Sequence, residues 1–281
     1  MQAPAAPAAP TAQAAQAALA AFVARHARLL VLTGAGVSTE SGIPDYRDAN
    51  GDWKRPQPVT YQAFTGEEAT RKRYWARSLL GWSTMAHAQP GAAHLALARL
   101  EAAGRVELLL TQNVDGLHGA AGSQRVVDLH GRIDTVVCLG CGTRSPRAAL
   151  QLELVARNPA FAGLSAGAAP DGDADLELAD FSGFDVPPCS RCGGMLKPDV
   201  VFFGESVPRE RVAEAMAALQ RADAVLVVGS SLMVYSGYRF ALAAAERGLP
   251  IAALNLGRTR ADALLSLKVE LPIGAALAAL A

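Results

Sequence analysis

The chain has 281 residues, 51% of them hydrophobic, and its 26 basic and 26 acidic side chains give a formal net charge of zero. That length suits one large domain with inserts or two smaller domains, and the composition can bury a sizeable core. Nucleic-acid-binding and membrane-surface proteins usually carry a basic excess, so we expect no direct nucleic-acid partner and no membrane partner. A balanced total still leaves room for a local basic patch.

Residues 1–18 are nearly all Ala, Pro and Gln, and no Lys or Arg precedes Arg25. We predict a disordered Ala/Pro tail over residues 1–18, with a helix that begins near Ala14 and runs toward His26. A secretory signal needs a basic start and an organelle presequence needs arginines, and this segment has neither. No charge-free apolar run reaches the about 18 residues of a membrane span. We therefore expect a cytoplasmic protein.

Four short apolar runs each end in small or polar residues, which indicates buried parallel strands. They cover residues 29–32, 106–110, 224–228 and 251–254. Stretches with helical spacing of apolar residues lie at 92–103, 210–222 and 235–247. This alternation predicts an α/β fold with a Rossmann-like, doubly wound parallel sheet. Such sheets bind ligands beyond the carboxyl ends of their strands, where the polar residues fall.

Two regions interrupt the alternation. Residues 48 to 90 concentrate aromatic side chains, which indicates a small inserted helical module or a substrate-facing lid, with a local core cluster as the alternative. Residues 134 to 198 hold all four cysteines. We assign both regions to one domain over residues 19–281.

The four cysteines form two Cys-x-x-Cys pairs with none left over, which favours a metal in a reducing compartment over disulfides. Each pair has the spacing of a zinc-ribbon half-site, and four thiolates leave no open coordination position, so the metal would be structural. The 47 residues between the pairs exceed the usual gap. A redox pair or buried free thiols are the alternatives. The predicted ligands are Cys138, Cys141, Cys189 and Cys192.

The turn Gly34-Ala35-Gly36 follows the first predicted strand. Glycine lets a backbone turn tightly and approach a phosphate, and a following helix offers its N–H groups. However, Thr39 stands where the dinucleotide fingerprint has its third glycine, and no strand with an acidic residue follows about 20 residues later. A nucleotide site and an ordinary turn are therefore equal alternatives, and a hydride-transferring dehydrogenase is the less natural interpretation. Nearby, Asp45 can bind an amide or a ribose hydroxyl, and Arg47 can bind a phosphate.

Polar residues also follow two other apolar runs. Gln112, Asn113 and Asp115 can hydrogen-bond ribose and a carboxamide, and an Asx-capped turn is the alternative. His130 is a candidate general base because the pKa of histidine lies near neutrality. The role of His118 is left open, and the remaining histidines are better treated as structural.

Taken together in chain order, these motifs resemble the sirtuin family. The resemblance covers about residues 20–280, and no single motif would be as specific as the whole set. It is closest to the class II branch, which includes the mitochondrial sirtuins described as lipoamidases and ADP-ribosyltransferases. The motifs are Gly34–Ser38 with 41–47, then 111–115, 129–131, 201–205, 229–231 and 255–257, and the class II pointers are 74–77, 169–173, 197–200 and 234–240.

The resemblance implies NAD as co-substrate and acylated-lysine proteins as partners. His130 would be the base and Asn113 would be the second catalytic residue. Ile273 stands where many class II members have cysteine, and its main chain would contact adenine. The implied cofactor-binding residues are Gly34, Ala35, Gly36, Ser38, Ile43, Pro44, Asp45, Tyr46, Arg47, Gln112, Asn113, Asp115, Gly229, Ser230, Ser231, Asn255, Leu256, Gly257 and Ile273.

The resemblance also implies how substrate is bound. Residues 201–205 would pair with the substrate peptide as an added strand, and Tyr74 with Arg77 could hold a distal carboxylate of an acidic acyl chain. The implied substrate-binding residues are Tyr74, Arg77, Val201, Phe202, Gly204 and Glu205.

The implied reaction transfers an acyl group from lysine to ADP-ribose. Nicotinamide leaves as the acyl oxygen attacks the ribose, His130 takes a ribose hydroxyl proton, and water releases lysine and O-acyl-ADP-ribose. The acyl group stays open among acetyl, acidic, long or branched chains and lipoyl. A protein ADP-ribosyltransferase with the same NAD site is the second hypothesis, and a non-catalytic NAD-sensing or zinc-ribbon interaction protein is the third.

Overall fold

The computed structural model describes residues 11–54, 57–164, 167–168, 174–176 and 180–280. Its helices are α1 (Ala12–Arg25), α2 (Tyr61–Gly66), α3 (Glu68–His87), α4 (Ala92–Ala102), α5 (Leu117–Ala120), α6 (Arg147–Arg157), α7 (Pro159–Ala162), α8 (Arg209–Arg221), α9 (Tyr235–Glu246) and α10 (Ile273–Ala278). Its strands are β1 (Leu29–Thr33), β2 (Val106–Thr111), β3 (Val126–Asp128), β4 (Gly131–Cys138), β5 (Arg144–Pro146), β6 (Gly167–Ala168), β7 (Ala174–Asp175), β8 (Leu196–Val200), β9 (Ala224–Val228), β10 (Ile251–Leu254) and β11 (Leu267–Val269).

The central sheet has six parallel strands in the order β11-β10-β9-β1-β2-β3. Every residue of β1, β9 and β10 is buried, as expected for strands covered on both faces. Helices α1, α4 and α10 pack on one face, and α8 and α9 pack on the other. The four predicted strands and the doubly wound architecture are confirmed, with β3 and β11 added at the two edges.

Helix α1 begins at Ala12, ahead of the predicted start near Ala14. Thr11 caps it, accepting a hydrogen bond on Oγ1 from the N–H of Ala14 at 3.2 Å. Residues 12–18, assigned above to the tail, are helical because they consist of alanine and glutamine, which are strong helix formers. Leu19 further along α1 is fully buried in the core. Residues 1–10 of the predicted tail lie outside the described residues.

The aromatic-rich region folds as helices α2 and α3, while the described part of residues 48–60 forms no helix. Its rings form a core cluster, in which Phe64 contacts both Tyr74 and Phe202 edge-on at ring-centroid distances of 5.3 Å. Trp75 is fully buried in the same cluster. The core-cluster alternative therefore accounts for much of this aromatic content.

The cysteine region contains a three-stranded antiparallel sheet in the order β5-β4-β8, against which α6 packs. It is joined to the main domain directly, because β4 begins one residue after His130. Within the described part of the chain, no helix combines the length and apolar character needed to cross a membrane.

Candidate active site

Two glycine-containing turns meet where the strand order reverses, between β1 and β9. The N–H of Gly36 donates to the carbonyl of Gly229 at 2.9 Å, and the N–H of Gly34 donates to the carbonyl of Val228 at 3.2 Å. A Cβ on Gly36 would lie 3.0 Å from the Cα of Gly229. The glycines are therefore required by the close approach of the two strand ends, which leaves bare backbone at the usual ligand-binding edge of such a sheet.

A cavity of about 650 Å³ opens at this edge. It is bounded by the carboxyl ends of β1, β2, β9 and β10, by the chain after β8 and by part of α3. Most of the predicted site residues line it, and these are Gly34, Ala35, Gly36, Ser38, Ile43, Asp45, Tyr46, Arg47, Tyr74, Gln112, Asn113, Asp115, His130, Val201, Phe202, Gly204, Glu205, Gly229, Ser230, Ser231, Asn255 and Leu256.

Three predicted cofactor-binding residues do not line the cavity. Pro44 lies between two residues that do. Ile273 packs behind the glycine turn, where its Cδ1 would lie 3.0 Å from a Cβ on Gly229. Gly257 donates its N–H to Glu270 Oε1 at 3.0 Å, and a side chain there would collide with the backbone of Ala49. Their predicted contacts with the cofactor stay predictions.

The predicted pair of Tyr74 and Arg77 does not converge on the cavity. Tyr74 is buried and lines the cavity. Arg77 instead turns toward β7, where its Nε donates to the carbonyl of Ala174 at 2.9 Å. The carboxylate clamp inferred from the Tyr-x-x-Arg spacing is thus not formed, because the spacing fixes the helix face and not the direction of the long arginine side chain.

His130 is held by a contact on each ring nitrogen. Its Nδ1 lies 2.9 Å from the carbonyl oxygen of Gln112, which only accepts, so Nδ1 carries the proton. Its Nε2 is then the unprotonated nitrogen, and it accepts from the hydroxyl of Ser236 at 2.7 Å. The pKa of His130 is lowered to about 4, mainly by removal of the ring from solvent and also by the charge of Arg211, against the opposing effect of the hydrogen bond to Gln112. The imidazole is therefore neutral at pH 7, with its lone pair on the side of Ser236.

Ser38 connects two of the predicted polar residues. Its Oγ donates to Asp115 Oδ2 at 2.7 Å and accepts from Asn113 Nδ2 at 3.0 Å. The other oxygen of Asp115 accepts from the N–H of Leu117 at 2.9 Å. Ser38 is buried, so the three side chains form a preorganised polar wall on one side of the cavity.

Two buried histidines support this wall from behind. His94 Nε2 lies 3.4 Å from the Oγ of Ser38, and the ring centroids of His94 and His118 are 4.8 Å apart. Burial lowers the pKa of His118 to about 3, and its Nε2 contacts Thr33 Oγ1 at 3.0 Å. His118 does not line the cavity. Its role, left open by the sequence, is structural.

The segment predicted to bind peptide, residues 201–205, is held in place by Lys197. Glu205 Oε2 accepts from the N–H of Phe202 at 2.9 Å and forms an ion pair with Lys197 Nζ at 3.1 Å. The Lys197 side chain is only 3% exposed, and its Nζ also donates to the carbonyl of Val200. This partly buried ion pair fixes the turn that follows residue 201.

Two other predicted polar residues of the cavity wall are already engaged within the chain. Asp45 Oδ1 forms an ion pair with Lys54 Nζ at 2.5 Å. Arg47 donates from Nη1 to the carbonyl of Gly51 at 2.7 Å, and its guanidinium carbon lies 3.9 Å from the ring centroid of Trp53. These contacts hold both charged groups at the cavity wall.

Sequence reasoning missed Ser236 as a site residue. It lies in the first turn of α9, where a serine is ordinarily interpreted as part of a helix start. The segment 234–240 was singled out only as a family pointer. No local pattern predicts that this hydroxyl reaches His130, since 106 positions separate the two residues.

The four cysteines form a separate site, and none of them lines the cavity. Their Sγ atoms all lie within 4.8 Å of one another. The Sγ atoms of Cys138 and Cys192 are 3.4 Å apart, and those of Cys141 and Cys189 are 3.9 Å apart. A tetrahedral ion with bonds of about 2.3 Å places sulfurs roughly 3.8 Å apart. The cluster is thus positioned to bind one structural zinc ion.

The comparisons with known proteins agree with this geometry. The model of the Sir2 family matches residues 34–236. An NAD-dependent protein deacetylase of Xanthomonas campestris pv. campestris (strain 8004) is 68% identical over 254 residues, which cover 90% of this chain and 87% of that protein. NAD-dependent protein deacetylase 2 of Bradyrhizobium diazoefficiens is 65% identical over 255 residues, which cover 91% of this chain and 93% of that protein.

Solved structures give the same assignment. A Sir2 protein bound to acetylated peptide superposes with a TM-score of 0.73 at 28% identity, covering 93% of this chain and 95% of that one. A Sir2 complex with a p53 peptide and NAD+ gives a TM-score of 0.71 at 29% identity, covering 92% and 94%. From sequence, fold and site geometry together, the chain belongs to the Sir2 family.

Proposed function

We propose that this chain is an NAD-dependent protein deacetylase, which transfers acetyl groups from protein lysines to ADP-ribose. The observation that carries the proposal is the tautomer of His130, whose unprotonated Nε2 belongs to the same cavity as Asn113 and Asp115. The similar proteins of Xanthomonas and Bradyrhizobium are named NAD-dependent protein deacetylases. Similar Sir2 structures hold acetylated peptide or NAD+.

The cavity fits a dinucleotide. The backbone of Gly34 and Gly36 lines the cavity and suits a pyrophosphate, and the polar wall of Asn113 and Asp115 suits a carboxamide and ribose. Gln112 donates to the Oγ of Ser230 at 2.8 Å, which ties the two halves of the proposed dinucleotide site together. Bound NAD⁺ supplies a ribose carbon that becomes electrophilic as nicotinamide leaves.

His130 would act as the general base. Its Nε2 takes a proton from a ribose hydroxyl, and the carbonyl of Gln112 stays bonded to Nδ1 and stabilises the resulting imidazolium. The depressed pKa of His130 keeps Nε2 free of a proton at neutral pH before substrate binds. General-base catalysis typically contributes about 10²–10⁴ in rate.

The acyl end of the cavity is mainly apolar. Val59, Tyr74 and Met85 are among the apolar residues that line the cavity. Such side chains suit acetyl, and longer or branched acyl chains remain part of the proposal. An acidic acyl chain is the weaker candidate, because Arg77 turns away from the cavity. The class II assignment stays a prediction, and its pointer at residues 169–173 lies outside the described residues.

The test is product analysis with purified protein, NAD⁺ and an acetyl-lysine peptide. We expect free nicotinamide, deacetylated peptide and O-acetyl-ADP-ribose in equal amounts. A panel of peptides with longer, branched, acidic and lipoyl chains then ranks the acyl groups. Nicotinamide release with ADP-ribose attached to protein, and no deacetylated peptide, would instead establish the ADP-ribosyltransferase alternative. No nicotinamide release at all would exclude both.

A further inference from the structure

The nitrogen that the proposed mechanism needs is covered by a hydroxyl of the same chain. Since Nδ1 of His130 donates to the carbonyl of Gln112, Nε2 has only a lone pair to offer. The Oγ of Ser236 lies 2.7 Å from Nε2, so it donates its proton into that lone pair. Both side chains line the cavity. In the free protein, therefore, Nε2 of His130 already accepts a hydrogen bond from Ser236.

The chain around Ser236 is built to deliver this contact. Leu232, four residues earlier, has φ of 54° and is the only non-glycine residue with positive φ in the described ranges. It is buried, and its N–H donates to the Oγ of Ser230 at 3.2 Å. A bulky residue in the left-handed region is strained, and such strain persists where the surrounding structure over-determines it.

The next residue, Gly237, lies against the side chain of Gln112. A Cβ at this position would collide with the amide of Gln112, the residue whose carbonyl binds Nδ1 of His130. The first turn of α9 thus contacts both residues that hydrogen-bond the ring, Ser236 through its hydroxyl and Gln112 through its side chain. It supplies the hydroxyl for Nε2 and leaves space for the residue that holds Nδ1.

We propose that Ser236 is the positioning residue for His130, a role that rests on the proposed deacetylase function. In the free protein its hydroxyl donates to Nε2 and keeps the ring facing the cavity. When a ribose hydroxyl reaches Nε2, the Ser236 hydroxyl rotates its own proton away and gives up the lone pair, which then takes the ribose proton. The new Nε2–H stays on the imidazole, and the Oγ of Ser236 accepts from it. A hydroxyl can fill both roles because it donates and accepts.

The test separates the two halves of the reaction. Nicotinamide release precedes the step that uses the base, so exchange of labelled nicotinamide into NAD⁺ does not depend on Ser236. We expect Ser236→Ala to lower kcat for deacetylation about tenfold to a hundredfold. The KM for NAD⁺ and the nicotinamide exchange rate should change less than twofold. Ser236→Thr, which keeps the hydroxyl, should restore most of the lost kcat.

Ser83→Ala is the matched control, because its exposed hydroxyl only contacts the carbonyl of Leu80 on the surface of α3. Wild-type kcat in Ser236→Ala would overturn the proposal. So would a parallel loss of exchange and deacetylation that Ser236→Thr fails to rescue, since that pattern indicates a merely structural role. A wild-type protein that makes no O-acetyl-ADP-ribose would overturn the proposed function itself, and this inference with it.

Discussion

The backbone carbonyl of His130 accepts a hydrogen bond from the backbone N–H of Val201 at 2.8 Å. The proposed base and the first residue of the proposed peptide-binding segment are thereby joined without any side chain. Gly131, with φ of 84°, makes this contact possible, because a Cβ there would collide with the carbonyl of Asp199. The base and the peptide-binding segment should therefore keep one relative position in the free and bound protein.

The hydrogen bonds of Ser38 should contribute to both stability and cofactor binding. Ser38→Ala removes the donor to Asp115 and the acceptor for Asn113 in a buried site, which should cost about 1–3 kcal/mol of unfolding free energy. The KM for NAD⁺ should rise as the polar wall loosens. Urea unfolding and steady-state kinetics measure the two effects.

Ser41 provides the control for stability. Its buried hydroxyl has no hydrogen-bond partner among the described residues, so Ser41→Ala should leave the unfolding free energy unchanged or raise it. If Ser38→Ala and Ser41→Ala lower the unfolding free energy equally, the hydrogen bonds of Ser38 make no specific contribution to stability.

The ion pair between buried Lys197 and half-buried Glu205 should couple the core to the peptide-binding segment. Lys197→Met leaves Glu205 without its cation, which should destabilise the fold by about 1–3 kcal/mol and raise the KM for peptide. Adding Glu205→Gln should recover much of the stability, because the unpaired charge is then gone. A double-mutant cycle by urea unfolding measures the coupling, and strictly additive losses would contradict it.

Removing zinc should destabilise the cysteine region. The purified protein should contain one zinc per chain, and a chelator strong enough to extract it should lower Tm. Adding zinc back should restore the melting temperature, whereas magnesium should not, because thiolates are poor ligands for it. Metal analysis combined with calorimetry gives the answer. Identical melting of zinc-loaded and zinc-free protein would rule out a structural ion.

Two imidazoles with lowered pKa values should make the fold sensitive to mild acid. Burial lowers the pKa of His118 to about 3 and that of His130 to about 4, whereas an unfolded histidine titrates near 6.5. The unfolded state then binds protons that the folded state does not. The contribution is complete above about pH 6.5 and is lost as the pH falls toward 4.

Urea unfolding at several pH values between 7.5 and 5 tests this. His118→Gln should flatten the fall in unfolding free energy over that range. His87→Gln, at an exposed position of α3, should not. The same slope in wild type and in both variants would contradict the assignment.

The sequence predicted the sheet well because buried parallel strands are continuous apolar runs, such as residues 224–228, and these are visible without tertiary information. The glycine turns and the cysteine pairs were visible for the same reason: their chemistry is local. The direction of Arg77 and the contact made by Ser236 were not predictable. Both depend on which distant segment packs alongside, and neither periodicity nor spacing encodes that.

The most direct test of the central claim is to measure NAD⁺ binding and turnover in the same His130→Ala protein. Calorimetry should show a Kd for NAD⁺ close to that of the wild type, because His130 takes part in proton transfer, whereas the glycine turns bind the cofactor. Deacetylation of an acetyl-lysine peptide should fall by about 10²–10⁴. His87→Ala should match the wild type in both assays. Near-normal turnover in His130→Ala would contradict the account, and so would a wild-type protein that takes up no NAD⁺.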